Sequence, residues 1–316
     1  MVPAGEVRHV ALVGSTASGK SALAMELARC PAGRGRGVEI VSADSMCVYR
    51  GMDVGTAKPT ATDRAEVPHH LLDLVDPSEA FSVRRFQEAA AEAIGGIEAR
   101  GNVALLVGGS GLYVQAIVDG LAVPGTLPGL RAELEAEAST PEGLASMYQR
   151  LSQLDPLAAS RIQPANARRV VRALEVTLGS GRPFSSFGPG LAAYPSSRFR
   201  LFGVWLPRAE VAERIRRRYV DQLGAGWLEE ARSLMPLAGE GGLSRTAGQA
   251  LGYRELFDHL AGRLSLEEAL DAAVHRTVRF ARRQRAWFRR DPRITWLASA
   301  GNPVDLAPAL LGDWSR

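Results

Sequence analysis

An α/β fold is predicted: a parallel sheet flanked by helices and interrupted by a helical insertion domain. Three observations predict it. Short apolar runs at 10–13, 38–41 and 103–107 alternate with helical patterns, as βαβ units do. The first run passes directly into a glycine-rich loop that opens a helix. From about Pro124 to Ser197 strand-like runs vanish, and a strand pattern resumes at 199–206.

Each element has its own local cause. The run at 10–13 reads as a buried strand, and the helix after its loop spans 21–29, with Pro31 to terminate it. The run at 38–41 ends in Ser42-Ala43-Asp44. An amphipathic helix follows, with Val83, Phe86, Ala90, Ile94 and Ile97 on one face and a stop near Gly101. The run at 103–107 ends in Gly108-Gly109-Ser110-Gly111. Thr140-Pro141 and Asp155-Pro156 each pair an N-cap with a proline at the first helical position. Asn166 caps a helix with Val170, Leu174 and Thr177 inside, which Gly179 and Gly181 end. Beyond 206 the chain is expected to be mostly helical. Its best helix starts at Ser265 with Glu268 three residues on, a capping box, and carries Leu266, Leu270, Val274, Thr277, Ala281, Gln284 and Phe288 toward a stop at Asp291-Pro292. The expected division is therefore 1–123 for the first part of the core, 124–198 for the insertion and 199–316 for the mostly helical second part.

Composition narrows the class. With 316 residues, 46% of them hydrophobic, the chain can bury a proper core, so disorder is not expected. Met1 leads into the first apolar stretch with no basic leader or long apolar segment, which predicts a cytoplasmic protein without a membrane partner. Cys30 and Cys47 are the only cysteines, too few for a disulfide framework or a cysteine-based zinc site. The formal charge of +4 favours an anionic partner only weakly. Arginine greatly outnumbers lysine; Lys20 and Lys58 are the only two lysines, and both lie in Gly/Thr-containing loops rather than on a helical surface.

Gly14-Ser15-Thr16-Ala17-Ser18-Gly19-Lys20-Ser21 matches G-x-x-x-x-G-K-[ST] between strand and helix, so the sheet is expected to be P-loop NTPase-like. Backbone N–H groups, the helix N-terminus and Lys20 suit a di- or triphosphate, and the Ser21 hydroxyl suits a Mg²⁺ ion. The third strand ends in two glycines where a nucleotide hydrolase would carry an acidic metal ligand, which lowers the hydrolase reading.

In an open parallel sheet the carboxyl ends of the strands face one crevice, so the loops at 15–21, 42–58 and 108–113 should share a site. Asp44 there serves equally well as a helix cap or a general base. Tyr49, Arg50, Thr56 and Lys58 crowd the same loop with donors. Arg276, Arg279, Arg282, Arg283, Arg285, Arg289, Arg290 and Arg293 surround Trp287 and Phe288; the arginines suit RNA phosphates, while the two aromatics fit the helix's apolar stripe better than a stacking role. Arg168, Arg169 and Arg172 form a smaller group. Arg214 and Arg218 share a helix face at i, i+4, with Arg208 nearby; one of the three is expected to reach the phosphates, with Arg214 as the candidate, and surface ion pairing explains them about as well. His69 and His70 lack companions for a metal site and are read as structural or substrate-lining.

The run Ser42-Ala43-Asp44-Ser45-Met46-Cys47-Val48-Tyr49-Arg50-Gly51-Met52-Asp53-Val54-Gly55-Thr56-Ala57-Lys58-Pro59 closely resembles the signature of the tRNA dimethylallyltransferases, also called tRNA isopentenyltransferases. His69-His70-Leu71, Phe81-Ser82-Val83, Gly108-Gly109-Ser110-Gly111-Leu112-Tyr113, the stretch 168–175, Gly252-Tyr253-Arg254-Glu255 and Arg282-Arg283-Gln284-Arg285 are similar to family landmarks in family order, so the resemblance spans nearly the whole chain. It implies that the phosphate loop holds the diphosphate of dimethylallyl diphosphate instead of consuming ATP, with Lys20, Ser21 and Mg²⁺ on the leaving group. It implies that Asp44 is the base that deprotonates the exocyclic N6 of the adenosine 3′ of the anticodon. Contact with the anticodon stem-loop is implied for Asp44, Ser45, Met46, Cys47, Ser110, Arg168, Arg169, Val170, Val171, Arg172, Arg282 and Arg283. Cys47 stands where the family usually has a glutamine expected to contact the adenosine, and Ser110 replaces a usual threonine while keeping the hydroxyl. A monomer is expected. Three other readings share parts of this pattern: prenylation of free AMP, a small-molecule kinase with the insertion as a lid, and an RNA-binding homologue without catalysis.

Overall fold

Among the described residues six strands form one sheet, and all of their pairings are parallel. The computed structural model describes residues 9–30, 35–188, 190–237, 242–299 and 301–314. In chain order the elements are β1 (His9–Gly14), α1 (Lys20–Arg29), β2 (Val38–Ser42), α2 (Ala61–Glu66), β3 (His69–His70), α3 (Val83–Ala99), β4 (Val103–Gly108), α4 (Gly111–Val118), α5 (Pro128–Glu137), α6 (Pro141–Leu154), α7 (Pro156–Arg161), α8 (Ala167–Ser180), β5 (Phe199–Trp205), α9 (Arg208–Gly224), α10 (Trp227–Leu234), α11 (Tyr253–Leu260), α12 (Leu266–Phe288), β6 (Thr295–Ala298) and α13 (Ala307–Trp314). The expected stop at Pro31 lies outside the described residues.

The strand order is β3-β2-β4-β1-β5-β6. β1 and β4 are buried along their whole length, as their unbroken apolar runs require of strands covered on both faces. The chain leaves β1 for β2 on one side and returns through β5 on the other, so the loops at the carboxyl ends of β1, β2, β4 and β5 lie around one switch point.

Polar groups buried in the sheet are paired rather than free. His9 on β1 accepts the Ala104 N–H at Nδ1 (3.0 Å) and meets Glu98 through Nε2 (2.9 Å); burial pulls its pKa down. Burial alone would raise the Glu39 carboxyl, but bonds from Arg100, Asn102 and His70 outweigh it and hold the pKa at about 2. His70 thereby has a structural partner (2.7 Å), and His69 meets the Val67 carbonyl (2.8 Å).

The chain separates into two compact units, Met1–Asp119 with Tyr194–Arg316 and, inserted, Gly120–Ala193. The inserted unit contains α5 to α8 and, among the described residues, no strand. Its core is built from Leu134, Met147, Leu151, Ala158, Val170, Val171 and Leu174. The N-caps read from sequence are present: Thr140 accepts from Gly143, Asp155 from Ala158 and Asn166 from Arg169. In the large unit Ser265 and Glu268 form the capping box of α12.

Three residues expected to touch RNA are turned inward by this packing. Val170 and Val171 are 0% and 2% exposed, because the apolar stripe of α8 must face its neighbours. The Arg172 guanidinium is committed to the carbonyls of Pro124 (2.7 Å) and Gly125 (3.0 Å) and to buried Glu175 (2.8 Å). Arg168 and Arg169 are exposed. The sequence reading missed β3 and β6: the first is two residues long and the second is half-exposed, so neither carries an apolar run.

Candidate active site

β1 passes into the phosphate loop at Gly14, and α1 begins at Lys20. Two residues between them take left-handed backbone, Ala17 (φ 59°) and Gly19 (φ 83°), which turns the loop tightly around a concave centre. The glycine at 19 is needed twice over, since a Cβ there would also lie 2.5 Å from the Pro303 ring. Lys20 is half-buried, its Nζ 3.4 Å from the Ser15 carbonyl. Burial and the neighbouring Arg218 lower its pKa, and Asp44 opposes them by favouring the charged form. Ser21 follows in the first turn of α1 and is exposed.

Two donors at this loop are buried without a partner among the described residues: Ser18 Oγ, on a residue 1% exposed, and Arg218 Nε. Arg218 comes from α9 and donates through Nη1 to Thr16 Oγ1 (2.8 Å). Arg214, one turn earlier, is instead paired with Glu210 (2.6 Å) and the Gly301 carbonyl (3.1 Å). Arg218, not Arg214, is therefore the α9 arginine at the phosphate loop. Shared helix face made both eligible, and only the placement of α9 against β1 separates them. An orphaned buried donor carries a cost of about 1–3 kcal/mol that an anion can remove.

The second loop leaves β2 at Ser42. Asp44 accepts the Met46 N–H at Oδ1 (2.9 Å), an Asx-type bond that orients its carboxylate. Cys47 is 6% exposed and points at Thr56, with Sγ 3.9 Å from its carbonyl and 4.0 Å from its hydroxyl. A base contact through this thiol does not fit, because the side chain is enclosed by its own loop; burial and the Asp44 charge also push its pKa well above the ordinary thiol value. The rest of the loop is held from within and behind. Lys58 donates to the Tyr49 carbonyl (2.5 Å), Asp53 (2.6 Å) and Asp73 (2.6 Å). Glu230 on α10 accepts the N–H groups of Asp53 (2.7 Å), Val54 (2.7 Å) and Gly55 (3.0 Å) together with the Tyr253 hydroxyl (2.6 Å). Gly55 has to be glycine, for a Cβ would lie 2.1 Å from Trp227 Nε1.

The third loop leaves β4 and meets the second at its start. Ser110 Oγ accepts the Ser45 N–H (3.1 Å) and donates to Ser45 Oγ (3.2 Å), while the Ala43 N–H donates to the Val107 carbonyl (2.7 Å). A Cβ at Gly108 would collide with the Ala43 carbonyl at 2.2 Å, so the glycines are there to let two loops touch. Met46 is half-buried beside them.

Sequence reasoning placed Gln284 on the apolar stripe of α12, and it is buried. Its amide, however, reaches both the first and third loops, accepting the Thr16 N–H (2.8 Å) and donating to the Gly109 carbonyl (2.9 Å). One amide of the phosphate loop is thus already used by protein. A polar residue on an apolar stripe was the signal for it. On the same helix Phe288 is buried, Trp287 packs on Gly111, and Arg282 and Arg283 are exposed.

The strands beside β1 are β4 and β5, ending at Gly108-Gly109 and Trp205-Leu206. Neither supplies a carboxylate where a nucleotide hydrolase holds its metal. No cluster of three or more His, Cys, Asp or Glu able to hold an ion exists among the described residues. One hydroxyl, Ser21, at the mouth of an anion cradle fits a Mg²⁺ ion that is bound mainly through substrate phosphates and water.

Residues 47–291 match the family described as IPP transferase. A protein of Salinispora tropica named tRNA dimethylallyltransferase is 49% identical over 296 residues, covering 93% of this chain and 89% of its own. A protein of the same name from Geobacter metallireducens is 44% identical over 310 residues, covering 97% of each chain. The crystal structure of the full-length tRNA isopentenylpyrophosphate transferase of Bacillus halodurans matches with a TM-score of 0.67 at 36% identity, over 98% of this chain and 97% of that one.

Proposed function

The chain belongs to the IPP transferase family, and from that premise we propose how its site does the work its relatives are named for. It is a prenyl transferase that modifies tRNA. Its donor is dimethylallyl diphosphate, and its acceptor is N6 of the adenosine 3′ of the anticodon, presented by the anticodon stem-loop.

One observation carries the reading: beside Lys20, two buried donors, Ser18 Oγ and Arg218 Nε, stand without a partner among the described residues, at a loop whose charge is coupled to Asp44. Gly14, Ser15, Thr16, Ala17, Ser18 and Gly19 form the cradle wall. Lys20, Ser18 and Arg218 take the diphosphate and stabilise it as it leaves. Asp44 accepts the N6 proton while the nitrogen–carbon bond forms; the carbon–oxygen bond breaks and its electron pair departs on diphosphate. Ser21 would hold a Mg²⁺ ion, which would supply charge neutralisation at the leaving group. Ser45, Met46 and Ser110 border the acceptor side, and exposed Arg168, Arg169, Arg282 and Arg283 serve RNA phosphates, which makes affinity salt-dependent. The enzyme acts as a monomer in the cytoplasm.

Dimethylallyl diphosphate labelled in the prenyl group, offered in parallel to unmodified tRNA and to AMP, tests the assignment. Label should enter tRNA at the adenosine 3′ of the anticodon. Transfer to AMP alone, or phosphoryl transfer from ATP with no prenyl transfer, would overturn it.

A further inference from the structure

We infer that Gln284 is a positioning residue that locks the diphosphate loop to the loop carrying the base, and that transfer depends on this lock more than substrate binding does. The inference rests on the prenyl-transfer reading above.

Four observations carry it. Gln284 uses both ends of one amide in opposite senses, accepting the Thr16 N–H and donating to the Gly109 carbonyl. The amide cannot be turned over, because that would set two donors against each other at Thr16 and two acceptors at Gly109. Gly109 is shaped for it: a Cβ there would lie 2.4 Å from Gln284 Nε2 and 3.1 Å from the Gly14 carbonyl. Beyond Gly109 the connection continues, since the next residue, Ser110, bonds the backbone and hydroxyl of Ser45, the neighbour of Asp44. Thr16 is gripped from a second side by Arg218 at its hydroxyl.

The leaving-group loop and the base loop end different strands, separated by β4. Gln284, bonded to Thr16 and Gly109, and Ser110, bonded to Ser45, together span the gap between them. A displacement of about 1 Å in such a constellation costs on the order of 100-fold in rate without weakening either ligand. Gln284 touches neither reacting atom; it holds the two groups that do.

Gln284→Met keeps the length and apolar burial of the side chain and removes both bonds. Gly109→Ala, on the partner loop, dislodges the amide while leaving the sequence of α12 unchanged. Three quantities are measured for each variant and for the pair: single-turnover dimethylallyl transfer to tRNA at saturation, Mg²⁺-pyrophosphate affinity by calorimetry, and the thermal midpoint. Each single variant should lose about 100-fold in transfer rate, keep pyrophosphate affinity within about threefold, and stay folded at the assay temperature. The double variant should lose little more than either single one, as partners in one interaction do. The inference is overturned by a transfer rate within about threefold of the parent, by losses that multiply in the double variant, or by losses explained wholly by failed pyrophosphate binding or unfolding. Transfer by the parent enzyme is the separate check on the underlying reading.

Discussion

The phosphate loop and the loop from Asp44 to Lys58 face the same crevice, yet they treat their polar groups in opposite ways. Around the first, Ser18 Oγ and Arg218 Nε are buried without partners among the described residues and the Lys20 ammonium is partly desolvated. In the second, Lys58 satisfies three acceptors, Glu230 takes three consecutive N–H groups, and Thr56 donates to the Met52 carbonyl (2.6 Å). The difference teaches which half of the proposed site leaves donors free for a ligand. Unsatisfied donors store binding energy for an anion, whereas a loop braced by its own bonds holds a carboxylate in place, even though Gln222 Oε1 and Trp227 Nε1 behind it are also buried without partners among the described residues.

The contrast is most severely tested at its catalytic end. Asp44→Ala should reduce single-turnover transfer by about 10³-fold while tRNA affinity changes little, because it removes a base and not an anchor; lost binding with normal turnover would reverse the roles. Glu230→Ala should act on folding: three backbone donors lose their acceptor, for about 3 kcal/mol in denaturant unfolding, and a silent variant would mean the second loop does not depend on its support. Arg218→Ala should weaken pyrophosphate binding by about 30-fold, the equivalent of about 2 kcal/mol for a charge-assisted bond. The matching Arg214→Ala should stay within about twofold, since an exposed pair is worth little. Equal effects at 214 and 218 would erase the distinction between the two arginines.

Smaller effects sharpen the same picture. Cys47→Gln puts a longer side chain into an enclosed site against Thr56 and should cost about 1–3 kcal/mol of stability; an unchanged melting curve would mean that the side chain finds its way to the crevice. The smallest concerns pH. Lys20 has a lowered pKa, so its charge is present below that value and is lost as pH rises through it, before an ordinary lysine would titrate. Pyrophosphate affinity should therefore fall on the alkaline side earlier than 10.5, with proton uptake on binding. Calorimetry in buffers of different ionisation enthalpy reads both, and an affinity flat to pH 10.5 would remove Lys20 from the cradle.

Much of the site was legible in residue order because its causes are local. The loop from Gly14 to Ser21, the carboxylate after β2 and the glycines after β4 each follow an apolar strand, and parallel strands bring their carboxyl ends together. Caps at Thr140, Asp155, Asn166 and Ser265 were equally local. Val170 and Val171 lie on the apolar stripe of α8, which turns them inward, and Arg172 is held by Glu175 and two carbonyls, so the stretch 168–172 does not face outward as a unit. Cys47 was misjudged because the course of its own loop decides which way the thiol points.

Sequence by itself determined the parallel α/β core, the inserted helical unit, the glycine-rich loop between β1 and α1 and the family, since these depend on periodicity, capping and short motifs that act over a few residues. Tertiary structure alone decided that Arg218 and not Arg214 meets Thr16, across 202 positions, and that Gln284 bridges two loops from 268 positions away. Such contacts are set by how whole helices pack against the sheet, and that packing is a sum over many residues which no single stretch of sequence contains.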